Sequence, residues 1–262
     1  MEILVCVKQV PDDYVEVRLD PATGTPAVSA IERVNNAFDT YAVELAVRLC
    51  EAHGGTVTVA SIGPEACQSN LKNLLAVGAS KALLFSDATL EGADESAVAS
   101  YLSQMMDKCQ AEHGGPFDLI LCGKESTDEI SSQVGAMLAE KMGPPFVSSV
   151  IEVNPCDGGL QAKQETEEGY ALYETAIPAV YTVAKPGYDP RYPTIKSKMA
   201  ARKAAIPTFS AVEGGIAPQA NHVTCLGYSE PPKRQAGVRI QEKEAAEAVN
   251  KALAMMADAK VL

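Results

Sequence analysis

Phe117-Asp118-Leu119-Ile120-Leu121-Cys122-Gly123-Lys124-Glu125-Ser126-Thr127-Asp128-Glu129-Ile130-Ser131-Ser132-Gln133-Val134-Gly135 is the stretch that decides the fold. Phe117 to Cys122 is a short apolar run, read as a strand. Ile130 to Met142 has helical spacing and is ended by Gly143-Pro144-Pro145. Between them lies a polar turn. A strand, a turn and a helix in that order are the unit of a parallel sheet, whose ligands bind outside the carboxyl ends of its strands. Ser131, Ser132 and Gln133 would fall at or near the helix N-terminus, where free N–H groups and small hydroxyls suit a phosphate. Ser131 is equally readable as a plain N-cap. The turn is not a P-loop, because Glu125 follows Gly123-Lys124 and no glycine lies five residues earlier. No Gly-x-Gly-x-x-Gly occurs either.

Upstream the same alternation repeats. Ile3 to Val10 reads as a strand, Phe38 to His53 as a helix, Thr56 to Ile62 as a strand and Pro64 to Val77 as a helix. Lys81 to Ser86 is a strand, and Ala93 to His113 is a helix ended by Gly114-Gly115-Pro116. This predicts an α/β fold with a parallel sheet covered on both faces. Downstream the pattern changes. Phe146 to Val153, Leu160 to Glu165 and Tyr170 to Ala176 read as hairpin strands, followed by the apolar strand Pro178 to Lys185. Residues 186 to about 232 are rich in Pro and Gly and lack a period, so they are expected as a long functional loop. Gln241 to Ala259 is expected as a terminal helix. The domain reading is 1–185 as an α/β nucleotide-binding domain with a hairpin extension, 186–205 as a docking loop, and 206–262 as a C-terminal arm.

The 262 residues carry 22 basic and 34 acidic side chains, a net charge of −12. Such a chain repels phosphate backbones, which argues against nucleic acid as a partner. Hydrophobic residues make up 47%, which supports a packed core, yet no apolar run approaches the ~18 residues of a membrane span. The opening Met1-Glu2-Ile3-Leu4-Val5 has no basic region typical of a secretory signal. Seven cysteines, with no Cys-x-x-Cys, suggest a reducing, cytoplasmic setting. Three scattered histidines leave little for a metal site, and none is expected.

Three further features bear on function. Asn36, in Asn35-Asn36-Ala37-Phe38-Asp39, could cap the first long helix or reach a nucleotide over the strand ends. Lys8 and Gln9 interrupt the first apolar run at what would be its ligand-facing end. Arg191, Lys196, Lys198, Arg202 and Lys203 lie within thirteen residues that contain no acid, a local inversion of the chain's charge. This island reads either as a solvated loop or as a docking surface for an acidic partner, with Ile195 as an apolar anchor. No catalytic triad or paired-carboxylate motif stands out, so no catalytic residue is expected.

Over essentially its whole length the chain resembles the beta subunit of electron transfer flavoproteins. The resemblance rests on an ordered set of segments. Ile3 to Asp12, Asn36 to Glu44, Gly78-Ala79, Asp118 to Lys124 and Gln133-Val134-Gly135 come first. Pro178-Ala179-Val180, Pro190 to Ile195, Met199 and Arg202-Lys203 follow, and then Pro231-Pro232-Lys233-Arg234-Gln235-Ala236-Gly237-Val238. The resemblance implies a heterodimer with an alpha subunit that holds most of an electron-carrying FAD. It implies AMP in this subunit for plain electron carriers, and a second FAD that meets NADH for bifurcating ones. By position Cys6, Asn36, Ala37, Phe38, Asp39, Ile62, Gly123, Lys124, Ser126, Asp128, Ser131, Ser132, Gln133 and Val134 would line that site. Arg191, Tyr192, Ile195, Lys196 and Met199 resemble the family's recognition loop for an acyl-CoA dehydrogenase. The C-terminal segment would be the arm that wraps the alpha subunit.

Departures from the family pattern pull in two directions. Bifurcating members often carry Asp-Gly-Asp-Thr-Ala-Gln where this chain has Asp128-Glu129-Ile130-Ser131-Ser132-Gln133. Position 200 is Ala where some relatives have Lys. Val10-Pro11-Asp12 is similar to the bifurcating kind, and 231–238 to the plain kind. The expected function is an electron carrier that binds AMP, the alternative an NADH-oxidising bifurcating subunit. An unrelated adenine-nucleotide sensor would leave residues 178–203 without a role.

Overall fold

The computed structural model describes residues 1–233 and 236–262. Arg234 and Gln235 of the 231–238 run lie outside the described residues. The chain forms two compact units, residues 1–17 with 27–226, and residues 18–26 with 227–262.

The first unit is built on strand β1 (Glu2–Cys6), whose residues alternate between two cores. Ile3 and Val5 pack with one helical layer, Leu4 and Cys6 with the other. A strand buried on both faces must be apolar throughout, which is why this run reads without alternation. Helices α1 (Ala37–His53) and α2 (Cys67–Ala76) cover the first face. Helices α3 (Glu95–Gln104), α4 (Met106–His113) and α5 (Val134–Met142) cover the second. Leu4 is fully buried, and truncating such a side chain to Ala costs about 2–5 kcal/mol.

The remaining strands of the first unit are β2 (Gln9–Pro11), β3 (Arg33–Asn35), β4 (Thr56–Ile62), β5 (Lys81–Phe85), β6 (Leu119–Gly123), β7 (Phe146–Cys156), β8 (Gly159–Thr166), β9 (Gly169–Ala176), β10 (Ala179–Val183) and β11 (Thr208–Phe209). Nine of the strands form one sheet in the order β11-β5-β4-β1-β6-β10-β7-β8-β9. Pairing is parallel from β11 to β7, and antiparallel through the β7-β8-β9 extension. The α/β class, the parallel sheet and the hairpin extension all agree with the sequence reading.

Four local expectations are corrected. The 3–10 run is not one strand. It leaves the sheet after Cys6, and Gln9–Pro11 pairs antiparallel with Arg33–Asn35 in a separate two-stranded ribbon. The cause is local: the Lys8 N–H donates to the Asp39 carboxylate and the Lys8 carbonyl accepts from the Asn36 N–H, which diverts both groups from the ladder. The 93–113 helix is two helices meeting at Met105, with the short 3₁₀ turn Ala88–Leu90 before them. The Met105 N–H still bonds Tyr101 O and the Cys109 N–H bonds Met105 O, so the apolar period runs through the break.

The helix expected from Ile130 begins only at Val134. Ile130 and Ser132 have φ of 53° and 56°, a left-handed conformation that a helix cannot contain. The 186–232 segment is not a structureless loop. It holds α6 (Ile195–Lys203) and the edge strand β11. Thr194 Oγ1 caps α6 by accepting the Ser197 N–H at 3.1 Å. This helix buries only Ala201, so its sequence carries too little apolar periodicity to announce it.

The second unit contains an isolated bridge between Leu19 and Pro26, and α7 (Ala245–Asp258). No residue of α7 is buried, and Val249, Leu253 and Met256 form an exposed apolar stripe at helical spacing. Among the described residues no helix is long and apolar enough to cross a membrane.

Candidate functional site

After β1 the chain crosses to α1 on one face of the sheet, and after β6 it continues to α5 on the other. The chain therefore leaves the adjacent strands β1 and β6 toward opposite faces at their carboxyl ends, the switch point where open α/β sheets open a crevice. A cavity of about 750 Å³ lies there.

Its floor is fixed by Asp39. One carboxylate oxygen accepts the Lys8 N–H at 2.7 Å, the other the Gly123 N–H at 3.0 Å. Burial pushes this carboxyl up to about 7, against the opposing pull of those donors and of Asn36. Asn36 does not cap α1. Its amide donates to Glu125 O at 2.8 Å and its side-chain oxygen accepts the Thr127 N–H at 3.1 Å. The residue before α1 thus holds the polar turn after β6. Lys124 N–H completes the anchorage on Val183 O of β10, at 2.9 Å.

Of the residues expected at the site, Cys6, Asn36, Asp39, Ile62, Gly123, Lys124, Ser126, Ser131, Ser132, Gln133 and Val134 line the cavity. Ala37, Phe38 and Asp128 do not. Phe38 packs beneath Gly123, and Asp128 binds the Lys8 ammonium at 2.9 Å. Gln133, rather than Ser131, is the N-cap of α5, and it makes no side-chain cap bond.

Sequence reasoning noted Gln9 beside Lys8 but missed the network that holds it. Gln9 Nε2 donates to Asn70 Oδ1 at 2.7 Å, Asn70 Nδ2 donates to Arg33 O at 3.0 Å, and the Cys67 thiol donates to Gln9 Oε1 at 3.4 Å. The available signal was Asn70, a polar residue beside Leu71 and Leu74 on the buried face of α2. Burial pushes the Cys67 thiol up to about 11. Hydrogen bonding with Cys6, burial and the nearby Asp39 push Cys122 upward too. These thiols are protonated at neutral pH and serve as lining rather than as nucleophiles.

Chemically the cavity is lined by both polar and apolar groups. Lys8, the turn hydroxyls and the residues at the start of α5 lie on it. Ile62, Leu90, Val98 and Leu102, which belong to one apolar cluster, line it too, with Glu65, Asp87, Glu91 and Glu95 among the remaining lining. That mixture fits a nucleotide, with the base on aliphatic side chains and the phosphate at the turn. Among the described residues no group of three His, Cys, Asp or Glu side chains could hold a metal ion.

The basic segment divides into two roles. The Arg191 guanidinium is held on α1 by Glu44 at 2.9 Å and by Glu51 at 2.6 and 2.9 Å. Burial pushes Glu44 up, but Arg191 and Arg48 outweigh it and hold its carboxyl below the usual range. In contrast Tyr192, Ile195 and Met199 are 93%, 81% and 59% exposed, and Lys196 is exposed beside them. Helix α6 carries the last three and packs on α2, where Lys72 Nζ donates to Arg202 O at 3.2 Å.

A parallel sheet with a mixed polar and apolar cavity at its switch point defines an α/β protein with a crevice of small-molecule size at its strand ends. Residues 27–213 match the electron transfer flavoprotein domain family. The chain is 34% identical over 251 residues to the electron transfer flavoprotein subunit beta of Megasphaera elsdenii, covering 93% of each. It is 38% identical over 196 residues to the namesake of Thermoanaerobacterium thermosaccharolyticum, covering 75% of this chain and 73% of the relative. The caffeyl-CoA reductase-Etf complex subunit CarD of Acetobacterium woodii is 33% identical over 221 residues, 84% of this chain and 82% of the relative. The chain belongs to the electron transfer flavoprotein beta-subunit family. Membership implies an electron carrier paired with an alpha subunit, not a classical enzyme.

Proposed function

We propose that the chain carries AMP in the switch-point cavity, shares an electron-carrying FAD with its alpha subunit, and delivers or collects electrons at an acyl-CoA-dehydrogenase-type flavoenzyme. The observation that carries the nucleotide reading is the cavity itself. Its polar lining includes the Asn36–Asp39 and 123–135 segments, and its apolar cluster suits an adenine. The flavin supplies the redox chemistry; this chain's part is to hold the nucleotide and present the docking surface. Exposed Ile195, Met199 and Tyr192, ringed by Lys196, Lys198, Arg202 and Lys203, suit a transient contact with an acidic partner. The exposed stripe of α7 suits the alpha subunit. Cys6, Cys50, Cys67, Cys109, Cys122 and Cys156 are free thiols, which supports a reducing, cytoplasmic setting.

A second reading is a FAD in the cavity, reduced by NADH. About 750 Å³ lies high in the ~300–1,000 Å³ range of small-molecule sites, and this roominess favours it. Against it stands Asp128-Glu129-Ile130-Ser131-Ser132-Gln133, which departs from the turn of the bifurcating kind.

The test is the nucleotide content of the chain co-produced with its alpha subunit. Acid release and chromatography are expected to give one FAD and one AMP per heterodimer. Two FAD and no AMP would replace the first reading by the second. One FAD with nothing else bound would overturn both.

A further inference from the structure

Lys8 is the pivot of the cavity's polar lining. Its backbone is fixed twice, N–H to Asp39 at 2.7 Å and carbonyl from the Asn36 N–H at 2.9 Å, so the side chain starts from a set point at the end of β1. An ammonium has three donors. All three are used: Ser126 Oγ at 3.3 Å, Asp128 Oδ1 at 2.9 Å and Glu129 Oε2 at 2.8 Å. Across the same turn the Ser132 hydroxyl donates its one proton to Glu125 Oε2 at 2.5 Å. Two of the groups best suited to grip a phosphate, a cation and a hydroxyl, are thus already held by carboxylates of the turn.

Resting on the reading of this cavity as a nucleotide site, we propose that Asp128, Glu129 and Glu125 are built-in competitors of the nucleotide phosphate, and that binding is an anion exchange at Lys8 and Ser132. The incoming phosphate takes the ammonium and the hydroxyl, and the carboxylates turn out to water. Exposure permits the exchange, since the Glu129 and Asp128 side chains are 57% and 26% accessible and can be solvated on release. The turn is also held independently of these side chains. Asn36 fixes its backbone at Glu125 and Thr127, and the Ile130 N–H bonds Ser126 O at 2.9 Å. Releasing the carboxylates therefore leaves the turn in place. Burial pushes the Lys8 ammonium down, but the two carboxylates outweigh it and hold it above the ordinary lysine range. The cation is kept charged and ready in the waiting state. Lys8 is on this account the phosphate-gripping cation, and the acids set how tightly the nucleotide is retained.

The prediction runs opposite to the ordinary effect of removing a polar residue from a binding site. Glu129→Gln and Glu125→Gln keep the size of each side chain and remove its charge. Each is expected to tighten AMP by about threefold, the scale of a partly exposed ion pair, and the two together by about tenfold. Lys8→Met is expected to weaken AMP by about tenfold or more. In the Lys8→Met background, Glu129→Gln is expected to give no further tightening, because its competitor role acts only through the ammonium.

The experiment is equilibrium dialysis of labelled AMP, and separately of labelled FAD, against the nucleotide-stripped heterodimer and its variants. Thermal unfolding of each variant checks that it folds. Unchanged or weaker binding in both glutamine variants would overturn the exchange. So would equal tightening by Glu129→Gln with and without Lys8. If the wild-type heterodimer takes up neither nucleotide at this cavity, the site reading falls instead, a result distinct from wild-type binding that the variants leave unmoved.

Discussion

The Asp39 carboxylate accepts the Gly123 N–H at 3.0 Å, and this bond ties the start of α1 to the end of β6. It also closes the space above Gly123. A Cβ there would lie 2.8 Å from Phe38 Cβ and would press on the Asp39 carboxylate itself.

Gly123→Ala is therefore expected to destabilise the fold by about 1–3 kcal/mol and to release the nucleotide. Denaturant unfolding and nucleotide content after desalting would check it. A variant as stable as the wild type would mean that the two segments move apart at little cost.

Asp39 also predicts a pH dependence. Its carboxyl titrates at about 7 in the fold and at about 3.9 unfolded. Between those values the folded chain holds a proton that the unfolded chain has lost, so the residue's contribution to stability falls as pH rises from about 4 to 7 and is level above. The fall is on the order of 4 kcal/mol. Across that range the unfolding free energy should fall less, or rise more, with pH in Asp39→Asn than in the wild type. Parallel slopes would show that Asp39 is ionised throughout.

Much of the fold was legible because β1 and β6 are buried on both faces and had to be apolar, while glycines marked helix ends such as Gly114 and Gly143. The site was legible in outline for a different reason: the polar run from Gly123 to Gln133 sits where a parallel strand ends. Its wiring was not. Asn36 stands at a helix start, where a cap is the ordinary role, and only tertiary structure brings its amide to Glu125 and Thr127 across 89 and 91 residues. The Gln9–Asn70 bond likewise joins residues 61 apart. Helix α6 was hidden because its composition is basic and its buried face is a single alanine.

Arg191 was expected to meet a partner, whereas its guanidinium is engaged by Glu44 and Glu51 of the same chain. Arg191→Ala leaves the Glu44 carboxylate, 2% exposed, with Arg48 alone, and is expected to cost about 2 kcal/mol. Hydrogen exchange should quicken over residues 186–194. If exchange there is unchanged, the clamp does not hold this segment.

Ile195→Ala should slow electron transfer with the partner flavoenzyme several-fold, the usual scale for an exposed apolar anchor, while flavin content and stability stay as in the wild type. Stopped-flow flavin spectra would follow it. Loss of flavin instead would assign the residue to assembly with the alpha subunit.

The place of β10 has a consequence for how the protein is made. Val180 pairs with Ile120 on one side and with Phe146 on the other, so this strand is slotted between elements that leave the ribosome before it, and only after the β7-β8-β9 excursion is complete. Until residue 183 emerges, Lys124 has no carbonyl to bind, β6 presents an open apolar edge, and the switch-point cavity is unfinished. The nascent chain passes through a stage in which the residues before 179 are made but β6 still lacks its neighbour, a window in which chaperones have a reason to attend it.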